Sequence, residues 1–219
     1  MSPPEDPSRV TAEGARYALL RRLAPALRHE AVAPLQPIAM AASLLERRLR
    51  DPAPDLPLVQ ETATRLKDYS RAAVQSCLDL IEWLAPEARE GQPLPDTVRD
   101  TLDLLRGSLL FRGFTLRDDM AGSRDRVQPG GLRYVLPACL LWLTDSAGSP
   151  AEVTLRAQPV GPHVRLMLDL QPGEGSPGVQ DPPAYRPLRE DEVRALAHEE
   201  GIVIDRQGDT VSLTLARVA

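Results

Sequence analysis

The chain has 219 residues, 42% of them hydrophobic, 26% charged and only 4% aromatic, with a formal net charge of -5. That length allows two small domains, each with its own core, and the acidic balance argues against a nucleic-acid partner, which calls for a basic face to neutralise phosphates. No apolar run approaches the ~18 residues of a membrane span, and Met1 to Ser8 is proline-rich and acidic, unlike a signal peptide, so no membrane contact and a cytoplasmic location are expected.

Residues 1–9 read as a disordered tail. A first helix is expected over about 10–50, capped by Ser8 or Thr11 and stopped before the proline-rich run at 51–57. Leu20, Ala24, Leu27, Ala31, Pro34, Ile38, Ala41 and Leu45 recur at steps of four and three, which makes one apolar stripe. His29 is off that stripe. At about 100° per residue it lies roughly 200° from Leu27, so its imidazole should face water. Pro25, Ala26, Val32 and Ala33 lie one turn away, with Arg22 and Gln36 two turns away at the rim. Small apolar residues around an exposed imidazole suit a docking surface. Pro34 and Pro37 each remove a backbone donor and should bend the helix just after His29.

A second helix is expected over about 58–85, with Val59, Ala63, Leu66, Ser70, Ala73, Cys77, Leu80 and Leu84 as its stripe. A hairpin with one stripe per helix leaves half its apolar surface wet. Either two chains pair into a four-helix bundle, the more economical solution, or the hairpin packs on its own C-terminal half.

Residues 86–95 read as a polar linker and 96–219 as a second domain. Asp96 can cap a helix that turns Val98, Leu102, Leu105 and Leu109 inward, followed by a short strand over 113–117. Pro129-Gly-Gly131 opens a strongly apolar helix to about Thr144. Strands over 152–158 and 163–170 join through Pro159-Val-Gly-Pro162. A charged helix over 188–200 stops at Gly201, and a hairpin over 202–217 turns at Gly208-Asp209. Cys77 and Cys139 fall on apolar stripes, where a thiol behaves as a small hydrophobe, and are too few for a metal site. Asp145 and Asp169 read as solvated groups rather than ligands, and His163 at a strand start and His198 near a helix C-terminus have structural explanations, a cation there suiting the helix dipole. The fold class is α+β, with helices on one face of a mixed sheet.

His29-Glu30 followed by Pro34-Leu35 inside a long amphipathic helix resembles the H-box of the dimerisation and histidine-phosphotransfer domain of two-component sensor kinases. The α/β half resembles the ATP-binding domain that follows it there. The resemblance implies an N-terminal helical hairpin forming a dimeric four-helix bundle, then a histidine-kinase-like ATPase sandwich. It also implies where this chain departs. Ala138 and Trp142 stand where the family's N-box carries asparagines, one of which helps hold Mg²⁺, and neither has an oxygen to offer a hard cation. Gln171-Pro-Gly-Glu-Gly175 replaces the aspartate of the next signature with glutamine. Tyr185-Arg-Pro-Leu188 stands where a glycine-rich lid would be. The sandwich is therefore expected to be degenerate, and no ATP or other cofactor is expected.

With no segment ahead of the first helix large enough to sense a signal, another protein should deliver it. What the resemblance implies is a histidine phosphotransferase of a phosphorelay, in which His29 shuttles a phosphoryl group between receiver-domain aspartates and Glu30 assists proton removal. Response-regulator receiver domains would be the partners and would bring the Mg²⁺. Ala33, where phosphatase-competent members often carry Thr or Asn, disfavours phosphatase activity. The alternative is a non-catalytic pseudokinase scaffold that binds and sequesters a response regulator or kinase.

Overall fold

The computed structural model describes residues 6–84, 91–120, 122–179 and 183–218. The chain divides into two compact units, Met1–Ala24 with Glu87–Ala219, and Pro25–Pro86. One boundary falls between Pro86 and Glu87. The other, between Ala24 and Pro25, falls inside the first helix and has no counterpart in the sequence reading.

The helices come first: α1 (Pro7–Val32), α2 (Leu35–Leu49) and α3 (Leu56–Leu84). The single helix expected over 10–50 is thus two, parted at Ala33-Pro34. Helix begins at Pro7, within the expected tail, whose first five residues lie outside those described, as does the first half of the expected linker.

In the helical unit α2 packs on α3. Ala41 of α2 and Thr62, Ala73 and Trp83 of α3 are buried, and the Arg48 guanidinium donates to the Leu58 carbonyl at 2.8 Å. The inward stripe of α3 is therefore 59, 62, 66, 70, 73, 76, 80 and 83. Three of the eight expected positions, 63, 77 and 84, are displaced by one residue, and Cys77, expected in a core, is exposed.

The α/β unit continues with β1 (Gln92–Pro93), α4 (Leu94–Phe111), β2 (Phe114–Asp118), β3 (Arg126–Val127), α5 (Pro129–Asp145), β4 (Ala151–Val160), β5 (His163–Pro172), α6 (Glu190–Glu199), β6 (Val203–Gln207) and β7 (Thr210–Ala216). Five strands form one sheet in the order β2-β4-β5-β7-β6. Only the β2–β4 pair is parallel. Alternation decides the faces: Leu116, Val153, Leu155, Val164, Leu166, Val211 and Leu213 are buried, while the residues between them are less so. Helices α4, α5 and α6 lie on that apolar side, which gives the expected α+β layer. Helix α5 is its centre, buried from Leu132 through Thr144. Burial pushes the Cys139 thiol up to about 12, so it stays a protonated, inert core group.

Turns follow the glycines where a positive φ is needed. The β4–β5 hairpin turns on Gly161-Pro162, with Gly161 at φ +58, and Gly201 ends α6 at φ +66. Helix α4 starts three residues earlier than expected, with Pro93 in place of Asp96 at the cap position. Asp96 lies in its first turn and pairs with Arg99 at 3.1 Å; the Leu94 N–H donates instead to the Asp125 carbonyl at 2.9 Å.

The first five turns of α1 belong to this unit through both apolar and ionic contacts. Ala12, Ala15, Ala18, Leu19 and Leu23 are at most 1% exposed. Arg22 donates two hydrogen bonds to Asp145, at 2.7 and 2.9 Å, and Arg112 donates a third at 2.8 Å. Asp145 is thus no solvated residue but the centre of an Arg–Asp–Arg triad. Asp169, too, is engaged, accepting a hydrogen bond from Thr210 at 2.8 Å.

Candidate functional site: the His29 turn

His29 sits in the last turn of α1 and is exposed, as is Glu30 beside it. Helical hydrogen bonding holds as far as the His29 carbonyl, which accepts the Ala33 N–H at 2.9 Å. Beyond it the helix fails because Pro34 has no N–H to donate. Proline thus sets His29 in the last turn of its helix.

Of the residues placed around the imidazole by helical spacing, Pro25, Val32, Ala33 and Gln36 are exposed and Ala26 is half-buried. Val32 is 55% exposed, high for a branched aliphatic side chain. Arg22 is the correction. Its side chain is 4% exposed and committed to Asp145 within the α/β unit, so it is no part of a solvent-facing rim. Sequence reasoning missed one residue at this turn: Ser76 of α3, whose hydroxyl donates to the Glu30 carbonyl at 2.7 Å.

The positions that resemble nucleotide ligands lie in the α/β unit. Ala138 is fully buried and Trp142 is 8% exposed; the Arg206 guanidinium lies 4.6 Å from the Trp142 ring centroid, a cation–π contact. Neither side chain has an oxygen to bind Mg²⁺. Gln171 ends up exposed near the end of β5. The segment ahead of α6, where the resemblance would place a glycine-rich lid, is tied down by aromatic and ionic contacts. The Tyr185 ring meets Tyr17 edge-on at 6.1 Å and Arg21 at 5.4 Å. Arg186 next to it donates two hydrogen bonds to Glu192, at 2.8 and 2.6 Å. Those bonds, with one from the Arg189 backbone, hold the Glu192 carboxyl below the usual carboxylate range although burial opposes it. Among the described residues, no group of three or more His, Cys, Asp or Glu side chains is placed to hold a metal ion, and no helix is long and apolar enough to cross a membrane.

No protein-family model and no curated protein matches the chain. Solved structures do. The catalytic domain of histidine kinase ThkA is similar over 59% of this chain and 97% of its own, at 12% identity and a TM-score of 0.46. A histidine kinase from Burkholderia phymatum STM815 is similar over 88% and 98%, at 17% identity and 0.43. Histidine kinase ThkA in complex with response regulator protein TrrA is similar over 100% and 68%, at 12% identity and 0.43. Histidine kinases are thus among the solved structures to which this chain is similar.

Proposed function

We propose that the chain is a histidine phosphotransferase of a two-component phosphorelay. The observation that carries this reading is the exposed His29 at the proline-broken end of α1, with Glu30 exposed beside it. An unprotonated ring nitrogen attacks the phosphorus of a receiver's aspartyl phosphate. The N–P bond forms as the P–O bond to the carboxylate breaks, and the second ring nitrogen gives its proton to water, assisted by Glu30. The reverse step passes the phosphoryl group to another receiver. An acyl phosphate is already a high-energy donor, so the reaction is chiefly one of in-line positioning and calls for no nucleotide. In this reading the receiver brings Mg²⁺ with its own acidic site, and a cytoplasmic encounter is part of the proposal.

The test is uptake of phosphate from receiver domains loaded with acetyl phosphate, with nucleotide left out. Label should enter the chain in an acid-labile, alkali-stable form, as an N–P bond requires. No label from any receiver of the host would sink the reading.

Pro25, Val32, Ala33 and Gln36, with the half-buried Ala26, are the surface on which the receiver is proposed to seat. Such transient interfaces are small, about 1,200 Å² or less in total, so one bulky residue in the centre suffices to hold the partners apart. Ala33→Arg should cut transfer by roughly 10²-fold, since even a 1 Å displacement of reacting groups can cost that much. Circular dichroism and melting should be unchanged, Ala33 being exposed; an unaffected rate would place the receiver elsewhere.

A homodimer through the helical unit is part of the proposal. On α3, Val74, Leu78 and Ile81 are 61, 51 and 57% exposed and share one face. Elsewhere in the same unit, an open groove of about 910 Å³ is lined by Pro37, Met40 and Leu44 of α2 and Tyr69 of α3, with Arg47 and Arg65. A second copy covering these faces completes a four-helix bundle. Ile81→Asp would bury an unpaired carboxylate in each of two symmetry-related places, at several kcal/mol apiece. Light scattering at micromolar concentration should find the wild type dimeric and this variant monomeric with its helix content intact. A wild-type monomer would refute the assembly.

A further inference from the structure

The turn that carries His29 has a gap in its backbone that the sequence makes unavoidable. In an α-helix each carbonyl accepts the N–H four residues on. For Glu30 that residue is Pro34, which has no N–H, so its own helix cannot satisfy the Glu30 carbonyl. The neighbouring bond, from the Ala33 N–H to the His29 carbonyl, is made at 2.9 Å. The gap therefore opens one peptide beyond the histidine.

A donor from another helix fills it. The Ser76 hydroxyl reaches across from α3 to the Glu30 carbonyl at 2.7 Å, between residues 46 apart in the chain. Ser76 lies on the inward stripe of α3, one turn after the buried Ala73 and one turn before the half-buried Leu80. Other hydroxyls of α3 behave differently. Thr62, Thr64 and Ser70 each turn back to the carbonyl four residues earlier on their own helix, at 2.8, 3.0 and 2.8 Å. That local bond is the usual habit of Ser and Thr within helices. Ser76 instead points at the one carbonyl that Pro34 deprives.

We infer that Ser76 is a positioning residue for His29: its hydroxyl stands in for the missing proline N–H and fixes the last turn of α1 against α3. The imidazole is thereby presented at one height and angle to an incoming receiver. This rests on His29 being the phosphoryl carrier. In-line transfer is sensitive to such placement, and a group out of position by 1 Å can lose about 10²-fold in rate. Chemistry at the ring that needs no docked partner should not feel the loss.

That difference is the test, made on the full chain with Ser76→Ala and Ser76→Thr. The carbonyl ¹³C shift of Glu30 reports the hydrogen bond directly and should move in Ser76→Ala alone. Phosphoramidate, a small donor that needs only an accessible neutral imidazole, should label His29 equally in wild type and both variants. Transfer from phospho-His29 to a receiver domain that accepts phosphate from the wild type should slow about tenfold or more in Ser76→Ala and be restored in Ser76→Thr. Wild-type transfer in Ser76→Ala would overturn the inference. Loss of phosphoramidate labelling in parallel with transfer would overturn it too, because the turn would then have come apart rather than tilted. If the wild type itself takes no label from either donor, the phosphotransfer reading fails first and the inference with it.

Discussion

His29→Gln should reduce phosphoryl uptake from a phosphorylated receiver to background while leaving stability within about 0.5 kcal/mol of wild type, as exposed substitutions usually do. Glutamine keeps polarity and approximate reach but has no nucleophilic nitrogen, its amide lone pair being delocalised, so no N–P bond can form. The effect is all-or-none because no other histidine can substitute: His163 and His198, both exposed, lie in the α/β unit, not on the His29 turn. Glu30→Gln keeps the nucleophile and should be milder, slowing uptake by at most about 10²-fold, the low end for a positioned general base. Labelling of purified variants, with mass spectrometry to locate the phosphate, decides both. The outcome also separates the two functional readings. A sequestering scaffold would keep its cellular effect in His29→Gln; a phosphotransferase would lose it.

Asp145→Ala should be the most destabilising single change in the α/β unit. The carboxylate accepts from Arg22 and Arg112, whose side chains are 4 and 27% exposed, and is itself 11% exposed. Its removal leaves the Arg22 charge buried without a counterion, a situation that costs about 3–5 kcal/mol. In a domain of this size each kcal/mol lowers Tm by roughly 2–4 °C, so a fall of about 6–20 °C is expected. Arg22→Met, which removes the buried charge and keeps the aliphatic volume, should cost less, and the double variant should recover part of the Asp145→Ala loss. Equal Tm in Asp145→Ala and wild type would mean the triad is solvated and contributes little. Because Arg22 lies on α1, hydrogen exchange over residues 7–24 should rise in Asp145→Ala.

The chain order of helices and strands in the α/β half was legible because period and punctuation agree there. Strands alternate, helices repeat at 3.6, and Gly161, Gly201 and Gly208 mark turns that need a positive φ. His29 was legible for the same reason: it lies opposite an apolar stripe, and exposure follows from angle alone. The stripe of α3 was not. Positions 62 and 63, 76 and 77 differ by one residue, and both sets contain small or apolar side chains, so periodicity admits either. Only the facing helix selects Thr62 and Ser76 over Ala63 and Cys77. Arg22 was misplaced because its partner, Asp145, is 123 residues away in sequence; a lone arginine on a helix is rightly assigned to water until the counterion is seen. Ser76 had half a signal. Pro34 announces an unsatisfied carbonyl at Glu30, but which hydroxyl meets it depends on the register between helices.

The five-stranded sheet has two open borders, β2 and β6, and each is only five residues long. Arg117 and Asp118 lie on one and Asp205 and Arg206 on the other, so a strand laid alongside would meet fixed charge of both signs. Short, charged borders are how sheets avoid extension by foreign strands. Recognition by strand addition, a common route for peptide partners, is thereby discouraged along both rims. The sheet should also resist the border-to-border stacking that seeds fibrils, and heat-stressed protein is expected to clump through its helical unit, where Val74, Leu78 and Ile81 are exposed, before it forms cross-β aggregates.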